Sequence, residues 1–396
     1  MSLDFKQVQA QVQQMGQNAR QHAQRLQALR QHANDLLQHN ARELDRLRSK
    51  VEEARKQDPA LRCALPLDDP SAEPLDGHFP LPPLPAQATL IAADGSQINP
   101  DRHAAVNYCL INVGAIRMRH GSSEAPRPFT HCRLLYDEQL YTATGTLTDE
   151  MVALMRDLNE RRYLVELAED AAPPVVTFTD GPMELWGAKD EGGEGGFRKH
   201  LQEYLSALSR LRDLGVTTGG YVDKPGADLV VRLLEIAETA DENLHDIRKH
   251  RSLRGVTDID LYRERLKAGE RSAVFAIQSR SLEDYRGDLA LRFFYLNVGP
   301  SNDPWLARVE VPAWVAADAQ KSNNLHAVLI NQCRIMGGRP YPYLLHRAHE
   351  TAVVTLDEKD QLTLMIKNEL QRNDVRVGRE SHKQALKMTG KRRRPR

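Results

Sequence analysis

Two short apolar runs that end in Asp-Gly give the first indication of the fold. Residues 89–93 are apolar or β-branched, and the composition turns polar and turn-forming at Asp94. A second copy of the pattern, at residues 174–182, places Asp180 in the equivalent position. Such runs predict buried strands. We expect each strand to deliver a carboxylate to its C-terminal end, where open α/β sheets bind their substrates.

The first 57 residues have the apolar spacing of a helix. The apolar positions recur at intervals of three or four, beginning with Phe5, Val8, Val12 and Met15. Because this stripe is narrow, we predict that the segment pairs with a second copy, as in a coiled coil, or with its own folded-back half. An arm that binds nucleic acid through Arg20, Arg25 and Arg30 is less favoured, since basic helix faces are usually only solvated.

Composition divides the rest of the chain. Residues 58–87 are rich in proline and predict a semi-extended linker. Residues 88–375 form the main globular domain, within which residues 241–272 are a polar, basic insertion. The basic tail, residues 376–396, is predicted to be disordered.

Strand and helix patterns alternate in the main domain. Residues 147–168 predict a helix with Thr148 as its N-cap and two acidic residues in its first turn. Apolar residues cover both sides of that helix, so a carboxylate there, such as Glu160, requires a partner or a metal ion. These patterns predict an α/β fold: a mixed sheet flanked by helices, with an N-terminal coiled-coil-like helix.

Overall composition favours a cytoplasmic protein. The 54 Lys and Arg residues balance the 54 Asp and Glu residues, so net charge does not indicate a polyanionic partner. The four cysteines have no CxxC spacing, which favours reduced thiols over a zinc site. No apolar run is long enough to span a membrane, and the polar N-terminus does not resemble a signal peptide.

Asp94 and Asp180 together indicate a shared cation site. Two carboxylates close together are costly unless they are protonated or neutralised, and oxygen ligands suit Mg²⁺ or Mn²⁺. Actin-like ATPases also pair strand-end aspartates, but they require Asp-x-Gly-x-Thr, and Pro182 removes a backbone N–H that a phosphate would need. The favoured class is metal-dependent phosphodiester hydrolysis on a ribonuclease-H-like sheet, with Glu160 or Glu166 as a third ligand.

Other candidate residues carry a weaker signal individually. His349 lies on a predicted helix, where most histidines are ordinary core or surface residues. Lys224 follows a short strand, and most lysines are simply solvated. The basic insertion supplies a candidate loop for contacting a nucleic-acid backbone. Its relevant residues are Arg248, Lys249, Arg251 and Arg254.

The order of several motifs resembles the NurA family of nucleases over residues 88–356. The motifs are DGSQ, RDLNE, TDGP, GYVDKP, FFYLNV, ARVEVPAW and GGRPYPYLLHRAHETAVV. The resemblance implies a ribonuclease-H-like fold and a dimeric, Mn²⁺-dependent DNA nuclease with 5′→3′ exonuclease and single-strand endonuclease activity. It also implies a role in DNA end resection and repair with a HerA-type hexameric ATPase that translocates DNA.

Within this resemblance, individual residues acquire expected roles. Asp94 and Asp180 match two metal ligands, and His349 matches a C-terminal histidine that acts as a ligand or transfers protons. Glu160 matches the helix glutamate, with Glu166 as the alternative. Lys224 matches a strand-end lysine that steadies phosphate charge. The competing hypothesis is a catalytically silent dimeric module that docks on a motor ATPase and needs no metal.

Overall fold

The computed structural model describes residues 3–142, 145–185, 193–375 and 378. The predicted basic tail from residue 379 lies outside the described residues. The helices are α1 Phe5–His39, α2 Leu44–Gln57, α3 Asp149–Glu169, α4 Gly193–Asp213, α5 Leu229–Glu238, α6 Asp258–Tyr262, α7 Ala313–Ala316, α8 Ala319–Ile335, α9 Tyr343–Ala352 and α10 Leu356–Arg372. The strands are β1 Cys63–Pro66, β2 His78–Phe79, β3 Ala88–Ile98, β4 Cys109–His120, β5 Arg127–Leu135, β6 Tyr141–Thr142, β7 Gly145–Thr146, β8 Val175–Asp180, β9 Thr217–Asp223, β10 Arg271–Ser272, β11 Phe275–Gln278, β12 Leu291–Asn297 and β13 Leu306–Pro312.

The chain forms two compact units, each built from two separate stretches. The first unit comprises Met1–Pro83 and Tyr221–Ile330, and the second comprises Leu84–Gly220 and Asn331–Arg396. This division differs from the domain ranges that composition suggested. The reason is that contacts between residues distant in sequence, which composition does not reveal, decide which stretches pack together.

The second unit contains a mixed sheet. Its strands lie in the order β9, β8, β3, β4, β5. Strands β3, β4 and β5 form an antiparallel meander, and β8 joins β3 in parallel. Helices α3 and α9 both pack against β3 and β4. The predicted ribonuclease-H-like mixed sheet flanked by helices is therefore confirmed.

Helix α3 begins where the sequence predicted it. The side chain of Thr148 accepts a hydrogen bond from the backbone N–H of Met151 at 3.2 Å, which satisfies one of the free donors of the first turn. Most of the helix is buried, including its polar residues Asn159, Glu160 and Arg161. Both sides of α3 are thus covered, as its apolar residues indicated.

In the first unit, the N-terminal segment forms two helices rather than one. Helix α1 ends at His39, where the Asn40 side chain donates to the Leu36 carbonyl oxygen at 2.7 Å and competes with continuation of the helix. The chain restarts as α2, and both helices pack against α5. Near its start α1 leaves Phe5 and Met15 exposed.

The proline-rich segment is not simply an extended linker, because it contributes two strands to the first unit. Strand β1 pairs antiparallel with β11, and β2 pairs with β10. Antiparallel strands β11, β12 and β13 continue the sheet, and their buried side chains form much of the core of this unit. Among the described residues, no helix has the length and apolar character needed to cross a membrane.

Candidate functional site

Strand register brings Asp94 and Asp180 side by side. The parallel pairing of β3 with β8 runs from Thr89 opposite Val175 to Ala93 opposite Thr179. Asp94 and Asp180 are the next residue on each strand, and neighbours at the same level point to the same face of a sheet. Strand β3 does not end at Asp94 as predicted, because its antiparallel pairing with β4 continues to Ile98. Only the parallel pairing stops there, and this is sufficient to place the two carboxylates together.

A glycine lets the helix carboxylate approach Asp94. A Cβ atom on Gly95 would lie 2.6 Å from Oε1 of Glu160 and 2.5 Å from Cγ of Arg156. Glycine is therefore the residue that allows the side chains of α3 to lie directly against β3. Glu160 is only 6% exposed, whereas Glu166, on the same helix, is exposed.

The carboxylates of α3 lie in a crowded, acidic environment. Burial raises the pKa of Glu160 well above its ordinary value, and the charges of Asp157 and Asp94 raise it further. Burial likewise raises the pKa of Asp157. Arg156 partly offsets this repulsion, since its Nη2 lies 2.8 Å from Asp157 Oδ1 and its Nε lies 3.5 Å from Glu160 Oε1. Such an arrangement favours an additional cation.

His349 reaches the same site from α9. Its Nδ1 lies 2.7 Å from Oδ2 of Asp94, while Oδ1 of Asp94 accepts a hydrogen bond from the backbone N–H of Gly95 at 2.8 Å. The imidazole is 63% exposed, against 18% for the Asp94 side chain. The histidine can therefore exchange protons with solvent or substrate while its other ring nitrogen stays on the carboxylate.

Three residues that the sequence did not single out hold α9 in place. Ser96 and Asn112 both donate to the carbonyl oxygen of Ala352 at the end of α9, at 2.5 and 2.7 Å. A Cβ atom on Gly114 would lie 2.7 Å from the carbonyl oxygen of Ala348, so the backbone of α9 lies directly on β4. These contacts fix the helix that carries His349.

Together these residues line a cavity of about 370 Å³. Its acidic and cationic lining residues are Asp94, Arg156, Asp157, Glu160, Arg161, Asp180, Glu184 and His349. The sequence predicted four of these and missed Arg156, Asp157, Arg161 and Glu184. Asp157 could have been found from its spacing, because it lies three residues before Glu160 and so shares a face of the helix with it. Arg161 lies four residues after Asp157, and these two residues share a face in the same way.

The donor types suit a hard divalent cation, although the side chains do not form a ready-made cluster. Among the described residues, no three His, Cys, Asp or Glu side chains are arranged to hold one ion. In this structure Asp94 contacts His349, and Glu160 faces Arg156. Carboxylate oxygens and one imidazole around a polar cavity match the ligands of Mg²⁺ or Mn²⁺.

The remaining candidates lie in the first unit. Lys224 is exposed and has a left-handed backbone, with φ of +44°, which is strained for a residue with a side chain. Its ammonium lies 5.4 Å from the ring centroid of Trp305, and the Trp305 indole N–H donates to Asp223 at 2.8 Å. Lys224 is thus positioned by an aromatic ring, and no carboxylate of the cavity belongs to its unit.

The basic loop residues are exposed but differ in their partners. Arg251 forms ion pairs with Asp228 and Glu235, and Lys249 pairs with Asp246 at 2.9 Å. Arg248 and Arg254 have no ion-pair partner within the part of the chain that the structure describes. A cavity of about 400 Å³ in this unit is lined by four arginines, Arg62, Arg232, Arg248 and Arg251.

Comparison with known proteins identifies the family. The model of the NurA domain matches residues 88–354. Among solved structures, the chain is similar to the NurA nuclease from Sulfolobus solfataricus, with 11% identity, a TM-score of 0.48, and coverage of 75% of this chain and 88% of that one. It is also similar to the catalytic domain of human endonuclease V, with 14% identity, a TM-score of 0.31, and coverage of 80% and 95%.

A ribonuclease H1, LC9-RNase H1, is similar at 16% identity and a TM-score of 0.22, with coverage of 38% of this chain and 67% of that chain. No curated protein sequence matches the chain. The family assignment therefore depends on the domain model, which covers well over half of the chain and includes Asp94, Glu160, Asp180 and His349. The chain belongs to the NurA family.

Proposed function

We propose that this chain is a divalent-metal-dependent nuclease that hydrolyses phosphodiester bonds in DNA. The observation that carries the proposal is the convergence of Asp94, Glu160, Asp180 and His349, from two strands and two helices, on one acidic cavity within the matched NurA domain. Membership of a nuclease family and the hard oxygen donors of the cavity both support it.

Asp94, Asp180 and Glu160 would hold the metal. Mn²⁺ or Mg²⁺, when bound, supplies a Lewis acid that polarises the phosphoryl group and neutralises its charge. The carboxylate of Asp94 keeps the imidazole of His349 oriented through Nδ1, so that Nε2 is directed away from this hydrogen bond. We assign His349 to proton transfer with the reacting oxygens, or to a further ligand position.

The finer activities that we propose are those that the resemblance to the family implies. We propose 5′→3′ exonuclease and single-strand endonuclease activity, with Mn²⁺ as the preferred ion, in DNA end resection and repair. The partner would be a HerA-type hexameric ATPase that translocates the DNA, and the site of action would be the cytoplasm.

We further propose a homodimer in which the exposed apolar start of α1, including Phe5 and Met15, pairs with its copy. Sedimentation equilibrium of the chain tests this, since a concentration-independent monomer contradicts it.

Degradation of end-labelled DNA tests the proposed function. Single- and double-stranded substrates are incubated with the protein and Mn²⁺, Mg²⁺ or EDTA, with and without a HerA-type ATPase. We expect cleavage with Mn²⁺ and none with EDTA, and the label position reports polarity. A correctly folded protein that cleaves no substrate under any of these conditions would instead support the silent docking module.

We also propose that the basic loop contacts the DNA backbone, with Arg248 and Arg254 contributing most because neither has an ion-pair partner among the described residues. Replacing both with alanine is expected to lower the salt dependence of single-stranded DNA binding by about 0.7 in log–log slope for each lost phosphate contact. The control is Lys249→Ala, whose ammonium pairs with Asp246. Equal slopes for the wild type and the double variant, measured by fluorescence anisotropy, would show that these residues do not contact the DNA.

Lys224 is proposed to steady phosphate charge, and its alanine variant is tested in the same titration.

A further inference from the structure

Arg161 is a buried cation in the wall of the acidic cavity. It is 2% exposed and follows Glu160 on α3. Unlike Arg156, it forms no ion pair with a carboxylate among the described residues. Burying a guanidinium is unfavourable unless its charge and its donors are used by the surroundings.

The donors of Arg161 connect α3 to the strands of the sheet. Its Nη2 donates to Oγ1 of Thr179 at 3.0 Å, and its Nη1 donates to Oγ1 of Thr218 at 3.2 Å. Thr177 extends this network by donating to Thr218 at 2.8 Å. The guanidinium also lies 5.6 Å from the ring centroid of Tyr204, which supports it from the side.

The sequence neighbours of these residues are the proposed metal ligands. Arg161 directly follows Glu160, and Thr179 directly precedes Asp180. One hydrogen bond between Arg161 and Thr179 therefore ties the turn of α3 that carries Glu160 to the end of β8 that carries Asp180. The planar guanidinium places its two terminal nitrogens apart in fixed directions, one towards each hydroxyl, and the single ammonium nitrogen of lysine does not reproduce that geometry.

We propose that Arg161 is the positioning residue of this site, which holds Glu160 and Asp180 at the separation that a divalent ion requires and supplies a permanent positive charge among the carboxylates. This inference rests on the proposed function. Arg161 acts through Glu160 and Asp180 and does not itself touch the substrate. The neutral hydroxyl partners allow it to orient the helix without occupying the oxygens that bind the ion.

The decisive variants are Thr179→Val, which keeps every charge and removes the hydroxyl, and Thr179→Ser, which restores it. Mn²⁺ affinity is measured by calorimetry on the folded protein, and cleavage is measured at saturating Mn²⁺. We expect Thr179→Val and Arg161→Lys to bind Mn²⁺ about 10- to 100-fold more weakly, as is typical for residues that support metal ligands, and Thr179→Ser to remain within about threefold of wild type.

A merely structural role would lower the melting temperature and leave the Mn²⁺ affinity of the folded protein unchanged, and that result would overturn the proposal. Thr179→Val keeps the test valid if Arg161→Lys does not fold. Should the wild type bind Mn²⁺ but cleave no DNA, the proposed function fails, yet the comparison of Mn²⁺ affinities still decides the role of Arg161.

Discussion

Glu160→Gln is expected to reduce metal-dependent DNA cleavage by at least about 100-fold, since even residues that only support metal ligands typically account for about 10- to 100-fold. Glu166→Gln is the matched control, because it makes the same chemical change on the same helix at an exposed position. We expect this control to stay within about twofold of wild type. If the two variants lose equal activity, or if only Glu166→Gln does, then Glu160 is not the helix ligand.

Glu160→Gln is also expected to make the stability of the folded protein less dependent on pH. Burial and the neighbouring charges of Asp157 and Asp94 raise the pKa of Glu160 in the folded protein above its value in the unfolded chain. The folded state then binds more protons than the unfolded state above the ordinary glutamate pKa, so the contribution of Glu160 to stability falls as pH rises through that range. Glutamine removes this dependence. We therefore expect the melting temperature of the metal-free protein to fall less between pH 5 and pH 8 for Glu160→Gln than for the wild type.

Gly114→Ala, opposite Asp94 on β4, is expected to disturb the site by displacing α9. The added Cβ would lie 2.7 Å from the carbonyl oxygen of Ala348 and 2.7 Å from the carbonyl carbon of Thr351, and it would also meet the backbone nitrogen of Ala352. These are backbone atoms of α9, so no side chain can rotate to make room. The helix must move away from β4, which separates His349 from Asp94. Overpacking of this kind costs about 1–3 kcal/mol in the free energy of unfolding.

Urea unfolding and the DNA cleavage assay measure the two consequences of Gly114→Ala. Activity should fall along with stability, because α9 carries His349. The control is Gly338→Ala, where a Cβ meets no atom within 4 Å and the backbone is not in the left-handed region. A Gly114→Ala protein with wild-type stability and activity would show that the position of α9 is not fixed by contact with β4.

The sequence could predict those parts of the site that depend on local pattern. Asp94 and Asp180 follow apolar β-rich runs, and the parallel register of β3 and β8 then places them together. Helix α3 and its Thr148 cap were likewise readable from spacing and capping chemistry. In these cases a short stretch of chain contains the whole physical cause.

Other features depend on contacts between distant parts of the chain. The continuation of β3 beyond Asp94 is caused by pairing with β4, which no local pattern around Asp-Gly indicates. The strand at Cys63–Pro66 forms because β11, more than 200 residues later, is its partner. The hydrogen bonds of Arg161 to Thr179 and Thr218 also join separate elements. A single sequence does not reveal which distant residues will become partners, so it did not predict the hydrogen bonds of Arg161 behind the carboxylates.

Single-turnover cleavage of 5′-labelled single-stranded DNA by wild type and by Asp94→Asn, at saturating Mn²⁺, tests the proposed active site most directly. Asparagine keeps the size of the side chain and an oxygen that accepts from the Gly95 N–H, so the fold should persist. The expected result is a loss of cleavage of at least about 100-fold with an unchanged melting temperature, since the carboxylate shared with His349 is removed. Cleavage by folded Asp94→Asn at the wild-type rate would show that the chemistry does not take place at this cavity.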